Sequence, residues 1–251
     1  MKTYLRTLAR AAVASGGLVA AAAHAQPVTG TSIAIEGATD WRERGLSWSD
    51  GKPAVGVSAT IPVASSLEFD LAGVTLRDSE RHGGADLALS VTPRYVVTTG
   101  GWRLGAGVRA NVFAGRSGMN YVELNGEIER TIGPARLMAA VDYAPSQNSI
   151  GGHNFHVEGR ASVGIPGLPL TVYGGVGHTS GSSRNDPRAW RLRPGGSYSD
   201  HHVGIEHSAL NLALGARYSD TSIDIDEVPA AATYYDRHLG ARMVGYIRFS
   251  I

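Results

Sequence analysis

The sequence has no cysteine, and aromatic residues make up only 7% and charged residues only 18% of its 251 positions. Without cysteine there is no disulfide framework of the kind on which small exported domains often lean. Beyond residue 25 no window approaches the about 20 consecutive apolar residues that a spanning helix needs. The formal net charge of +1 gives no field that would gather nucleic acid.

What is present begins with a leader. Met1-Lys2, Arg6 and Arg10 precede a run of small apolar residues from Ala11 to Ala23, and Ala23-His24-Ala25 closes it. A basic head, a short apolar core and an A-x-A site read as a secretory signal peptide over residues 1–25, with a mature start at Gln26. Residues 26–251 are then one large β domain, either an exported soluble protein or an outer-membrane barrel.

The closing stretch, Arg237 to Ile251, separates these two. Leu239, Ala241, Met243, Gly245, Ile247, Phe249 and Ile251 alternate with His238, Gly240, Arg242, Val244, Tyr246, Arg248 and Ser250. Period two over such a length is a strand with a different environment on each face. Soluble strands average about 5–6 residues, whereas a tilted strand needs about 9–11 to cross a bilayer.

Twelve segments alternate in this way: Thr31–Trp41, Ala54–Val63, Leu67–Leu76, Asp86–Val97, Trp102–Phe113, Asn120–Thr131, Ala135–Ala144, His153–Ile165, Pro169–His178, His201–Ser208, Leu210–Ser219 and Arg237–Ile251. Connections after even-numbered segments are tight, as at Gly100-Gly101 and Gly133-Pro134. Those after odd-numbered segments are mostly longer and polar, as at Arg42–Pro53, Thr179–Asp200 and Asp220–Thr233; Gly115–Gly118 is the exception. Short-long alternation marks an outer-membrane barrel with short periplasmic turns and longer extracellular loops. The predicted fold is therefore all-β, a single antiparallel up-and-down transmembrane barrel of about twelve strands.

On that map the outward aromatics fall into two bands. Trp41, Tyr143, Phe155, Tyr218 and Tyr235 lie at the outer ends of strands, and Phe69, Tyr95, Trp102 and Phe249 at the inner ends. Two girdles are what rings at two lipid–water interfaces would give. Arg103, Arg109, Arg160, Arg217, Arg242 and Arg248 share the opposite, polar face. An arginine on the lipid face near the midplane costs about 2–4 kcal/mol, so turning that face outward would exceed a whole protein's stability of about 5–15 kcal/mol. The charges must line the lumen, together with Glu123, Glu127, Asp142 and Glu158. Two readings of them stand: a charged constriction that selects permeants by sign and size, or an ion-paired plug that fills the bore.

The first long loop reads Thr39-Asp40-Trp41-Arg42-Glu43-Arg44-Gly45-Leu46-Ser47-Trp48-Ser49-Asp50-Gly51-Lys52-Pro53. It resembles the TorF-like putative porin family, whose first hairpin carries an aromatic-Arg-x-Arg-Gly-aliphatic-Ser signature and then an acidic-x-x-Pro turn. Trp41, Arg42, Arg44, Gly45, Leu46, Ser47, Asp50 and Pro53 match. The resemblance implies an outer-membrane protein with a pore, and no particular substrate.

Arg42 and Arg44 either fold inward at the mouth or hold their own loop by pairing with Asp40, Glu43 and Asp50. Arg184, Arg188, Arg191 and Arg193 around Trp190 form either a basic patch for lipopolysaccharide or anionic solutes, or a solvated loop. An enzyme is not expected: no Ser–His–acid set has convergent spacing, and His201 and His202, as neighbours on a strand, point to opposite faces. No metal or cofactor is expected. The expected partners are outer-membrane lipid, lipopolysaccharide and small polar solutes or ions.

Overall fold

Strict alternation leaves the chain one way to satisfy its backbone: each strand bonds to two neighbours until the sheet meets itself. The computed structural model describes residues 30–182, 186–224, 233–235 and 237–251. The leader at residues 1–25, the start at Gln26 and Arg184 lie outside them. In chain order the strands are β1 (Ser32–Ala38), β2 (Arg42–Glu43), β3 (Leu46–Ser47), β4 (Ala54–Ala64), β5 (Leu67–Ser79), β6 (Ala85–Thr99), β7 (Trp102–Phe113), β8 (Tyr121–Ile132), β9 (Ala135–Gln147), β10 (Gly152–Gly164), β11 (Leu170–Gly181), β12 (Tyr198–Ala209), β13 (Leu212–Thr221) and β14 (Arg242–Ser250). All but β2 and β3 form one closed antiparallel barrel, in which each strand pairs with its sequence neighbour and β1 closes on β14. The closing register sets Glu36 beside Arg248 and Ala38 beside Tyr246. The predicted twelve-stranded barrel is the observed architecture.

Its two faces follow the alternation. Val108, Leu124, Val141, Val157, Ile205, Leu214 and Ile247 are exposed around the outside. Glu68, Asp70, Arg94, Arg109, Glu123, Glu206 and Arg248 are buried within. Pro93 sits inside β6, and the ladder to β7 bridges Val91 to Ala110 and Arg94 to Gly107, omitting Thr92 and Pro93 without a shift in register. Proline has no N–H to give that ladder.

Tight turns such as Gly100-Gly101 and Gly133-Pro134 occupy one rim, and the longer connections occupy the other. Several strands run further toward the long-loop rim than alternation alone suggests. β5 continues to Ser79 through a bulge where Arg77 and Asp78 take positive φ. β11 and β12 extend into the basic loop, leaving a short 3-10 turn at Pro187–Arg191. Two ends are shorter. β1 stops at Ala38 rather than Trp41, and β14 begins at Arg242 rather than Arg237. In both places the chain leaves the wall to fold over or into the bore.

The apolar core is correspondingly small and lies at the long-loop end. Trp48, Leu76, Phe113, Met119, Tyr121, Ile150 and Leu192 pack there. Arg81 and Arg191, both fully buried, tie the loops together through carbonyl oxygens. Arg81 donates to Ser47 O at 2.9 Å and Arg191 O at 2.7 Å; Arg191 donates to Met119 O at 2.9 Å. Arg191 also lies over the Phe113 ring at 4.9 Å. Burial lowers its pKa to about 10, leaving it charged at neutral pH. The His82 ring stacks on Phe113 at 4.7 Å. Burial first, then the charges of Arg191 and Arg81, hold its pKa well below the usual value, so it is neutral.

Candidate functional site

The site is the bore, and the first long loop builds half of it. After Ala38 the chain turns inward and forms the β2–β3 hairpin inside the barrel. Arg44 and Gly45 join the two strands with φ of 50° and 74°, both left-handed, as a two-residue primed turn requires. Gly45 suits that conformation; Arg44 is held in it by its side chain. Its guanidinium donates to Glu123 Oε1 at 2.9 Å and reaches Asp142 Oδ2 at 3.2 Å on the opposite wall. Burial alone would lower the Arg44 pKa, but these two carboxylates outweigh it and the net shift is upward.

The remaining motif residues brace the turn. Asp40 accepts from Ser47 Oγ at 2.6 Å and from Arg42 at 3.3 Å. Arg42 also donates to Gly45 O at 3.1 Å and Gly240 O at 3.0 Å. Leu46 is buried with Tyr198 and Leu239. Asp50 takes φ of 58° and pairs with Lys52 at 2.8 Å, and Pro53 leads into β4. Of the two arginines, Arg42 pairs within the loop and Arg44 reaches into the bore.

From the wall, an ion-paired chain runs across β5 to β9. Glu68 accepts from Arg103 at 2.5 Å, Arg103 also pairs with Glu127, Glu127 meets Arg94 at 2.6 Å, and Arg94 meets Asp70 at 3.1 Å. Nearer the hairpin, Arg109 lies 3.6 Å from Glu123 and 3.8 Å from Asp142. Arg160 pairs with Glu158 at 2.6 Å on β10. Across the bore, Arg248 donates to Glu206 at 2.6 Å and approaches Glu36 at 3.4 Å, while Tyr246 donates to Glu206 at 2.9 Å. Arg217 is buried on the same face.

Between the hairpin and the β9–β13 wall lies a polar chamber of about 70 Å³, bordered by Arg44, Glu158, Arg160, Tyr173, His202 and Arg217 among others. That is room for a few water molecules. Glu43 also borders it and receives the Trp41 indole N–H at 3.5 Å. Burial lifts the Glu43 pKa to about 7.

Some expected placements do not hold. Trp41 is not in an outer girdle: its ring lies inside the barrel over Gly56, where a Cβ would come within 2.2 Å of it. The strand that would have carried it outward ends three residues earlier. Tyr235 packs on the Leu46, Tyr198 and Leu239 cluster, in the loop rather than on the wall. Leu239, expected on the outer face, is buried there for the same reason. Arg242 stays exposed at the long-loop rim and donates to Gly51 O at 3.1 Å, away from the bore. Arg191 and Arg193 do not belong to a solvated basic patch; Arg193 donates to Asn154 Oδ1 and Ile150 O, each at 3.0 Å. Tyr95, Trp102, Tyr143 and Phe249 are exposed on the outside, and Tyr218 is half-buried there.

Glu36, Arg94, Arg136, Tyr173, Glu206 and Tyr246 were not singled out, yet all but Tyr173 lie on polar positions of the alternation. A parity count alone would have included them. Tyr173 lies in a glycine-rich strand whose alternation is weak.

A family model described as "Bacterial protein of unknown function (Gcw_chp)" matches residues 21–243. The chain belongs to this family. The narrower TorF-like name is not what this match supplies. Gcw_chp carries no assigned activity, so solved structures bear on the fold alone. This Gcw_chp barrel superposes on the KdgM porin with a TM-score of 0.55 at 9% identity, covering 88% of this chain and 99% of that one. For the NanC porin the values are 0.54 and 9%, covering 87% and 97%. For the COG4313 outer membrane channel from Pseudomonas putida F1 they are 0.51 and 13%, covering 90% and 96%. No curated protein matches the chain by sequence.

Proposed function

We propose that this protein is a narrow outer-membrane channel for passive passage of small polar solutes or ions, reached through export by the leader at residues 1–25. The observation that carries this is the inversion of ordinary burial: apolar side chains outside, ionised side chains within. Lipid is the solvent that suits the first and a wet bore the second. The likeness in fold to porins agrees with it, as does the first-loop resemblance to TorF-like putative porins. In this reading the long loops face the cell exterior, with lipopolysaccharide around them. Tyr95, Trp102 and Phe249 meet one interface and Tyr143 and Tyr218 the other.

The constriction is the β2–β3 hairpin with Arg44, Arg109, Glu123 and Asp142, and solutes pass beside it past Arg103, Glu127, Glu158, Arg160, Arg217 and Arg248. Passage needs no reaction at these groups, and a catalytic role is not proposed for them. Purified protein in planar bilayers should give small, discrete conductance steps at high salt; a silent membrane with correctly inserted protein overturns the channel. Replacing Arg103 and Arg109 with Ala should move the reversal potential in asymmetric salt toward cation selectivity. An unchanged potential would put both outside the ion path.

A second reading is a non-conducting barrel that acts through its outer loops. The apolar cluster around Phe113 and the Arg81–Arg191 tie, which knit the long loops together at the ends of β5 to β10, favour it. The same conductance measurement separates the two.

A further inference from the structure

Most guanidinium groups in this bore are matched. Arg44 and Arg109 share Glu123 and Asp142, Arg94 and Arg103 share Glu127, Arg136 meets Glu129, Arg160 meets Glu158 and Arg248 meets Glu206. Arg217 is different. It is only 8% exposed, its Nε is buried without a hydrogen-bond partner, and among the described residues it forms no ion pair. It borders the polar chamber. An unmatched buried cation is strongly unfavourable unless a counter-charge joins it.

The wall around Arg217 is shaped to leave space. Arg160 and His202 both pair in register with Gly175, and Arg217 pairs with Gly204. A Cβ at Gly175 would lie 2.7 Å from His202 Cε1, and one at Gly204 would lie 2.4 Å from the Tyr173 hydroxyl. Two bare positions thus let the imidazole and the phenol lie flat along the wall, and the chamber is what remains in front of them. None of its carboxylates pairs with Arg217 among the described residues. Glu158 is held by Arg160 at 2.6 Å and Glu43 receives the Trp41 N–H, while Asp200 keeps its Oδ2 buried without a hydrogen-bond partner beside Gly177.

We propose that this chamber is an anion subsite for a small organic monocarboxylate, held on Arg217 through paired charge-assisted hydrogen bonds. The planar guanidinium fork matches a carboxylate in shape as well as charge. One unmatched positive charge calls for one negative charge. The nearby Glu158, Asp200 and Glu43 oppose a second, which disfavours dicarboxylates and phosphate. A chamber of about 70 Å³ has room for a group of a few heavy atoms. This rests on the channel reading, in which the chamber is a stopping place along the permeant's path.

The test uses the full barrel in detergent at low chloride, with carbon-13 acetate as the probe and its line width as the readout. Saturable broadening is expected with the wild-type protein. Arg217→Met and Arg217→Gln should bind at least about tenfold more weakly, the loss expected for one good charged pair. Succinate and phosphate at the same concentration should compete poorly. Because Arg217→Met removes an unmatched buried charge, it should also raise the unfolding temperature in anion-free buffer, which shows that lost binding is not lost folding. Absent broadening in the wild type, equal binding by Arg217→Met, or a lowered unfolding temperature in that variant would each overturn the subsite. Conduction without acetate binding defeats the subsite and spares the channel. Acetate binding by a barrel that never conducts defeats the channel and leaves an anion pocket.

Discussion

At the scale of single residues, the bore is an environment where a carboxyl group's state depends on its neighbours. Glu43 stands apart from Glu123 or Glu127 because no guanidinium comes within pairing distance of it among the described residues. Burial then dominates, and its pKa rises to about 7. An acid whose folded pKa is raised stabilises the fold least when ionised. The native state therefore holds the extra proton between the ordinary carboxylate value and about 7, and stability falls as pH rises through that window. Glu43→Gln should abolish this slope and stabilise the barrel at pH 8 by roughly 1–3 kcal/mol, read from urea unfolding at several pH values. An unchanged slope in the variant would place Glu43 in water. Arg42 and Arg44 show how far residue type alone can be read. Their presence in the motif was evident, but which one faces the bore depends on hairpin parity, and that depends on where β1 ends.

At the scale of elements, the β2–β3 hairpin decides how wide the bore is. It touches the wall closely: a Cβ at Gly45 would lie 2.5 Å from Thr221 Cγ2 and 2.7 Å from Asp200 Cβ. Gly45→Val adds that clash to a left-handed backbone a branched residue resists, a local cost of about 1–3 kcal/mol. The barrel wall does not depend on the hairpin for its ladder. The expected result is an inserted barrel with the hairpin displaced and a larger single-channel conductance. Equal conductance with intact folding would mean that the hairpin is not the constriction. Alternation could not have foreseen this element, since two-residue strands are too short to show a period. The motif resemblance pointed to a hairpin, and the buried Asp40 is what turns it inward: its partners Ser47 and Arg42 lie on the hairpin itself.

At the scale of the whole molecule, the fold divides an apolar outer face from an ionised bore. Val141, exposed midway along β9 between Val157 and Gly126, offers a direct probe. Val141→Arg should cost about 2–4 kcal/mol in unfolding from lipid vesicles and slow insertion. The same variant in a water-soluble sandwich would be close to neutral, so a negligible effect would remove the membrane.

The order of residues along the chain was enough to settle strand number, facing and the closed barrel, because period two and turn chemistry are local and every strand repeats them. It also placed most of the ionised groups on one face, since no other face could bear their cost. It does not settle where β1 and β14 end, so alternation puts Trp41, Tyr235 and Leu239 on a wall that the chain has left, and Arg242, the first residue of β14, in the bore rather than at the rim. Nor could it pair the charges. Which arginine meets which acid depends on barrel shear and on side chains crossing the bore, and an unmatched Arg217 appears only when every other partner is in place. Those are properties of the closed cylinder, where groups distant in sequence share one small volume.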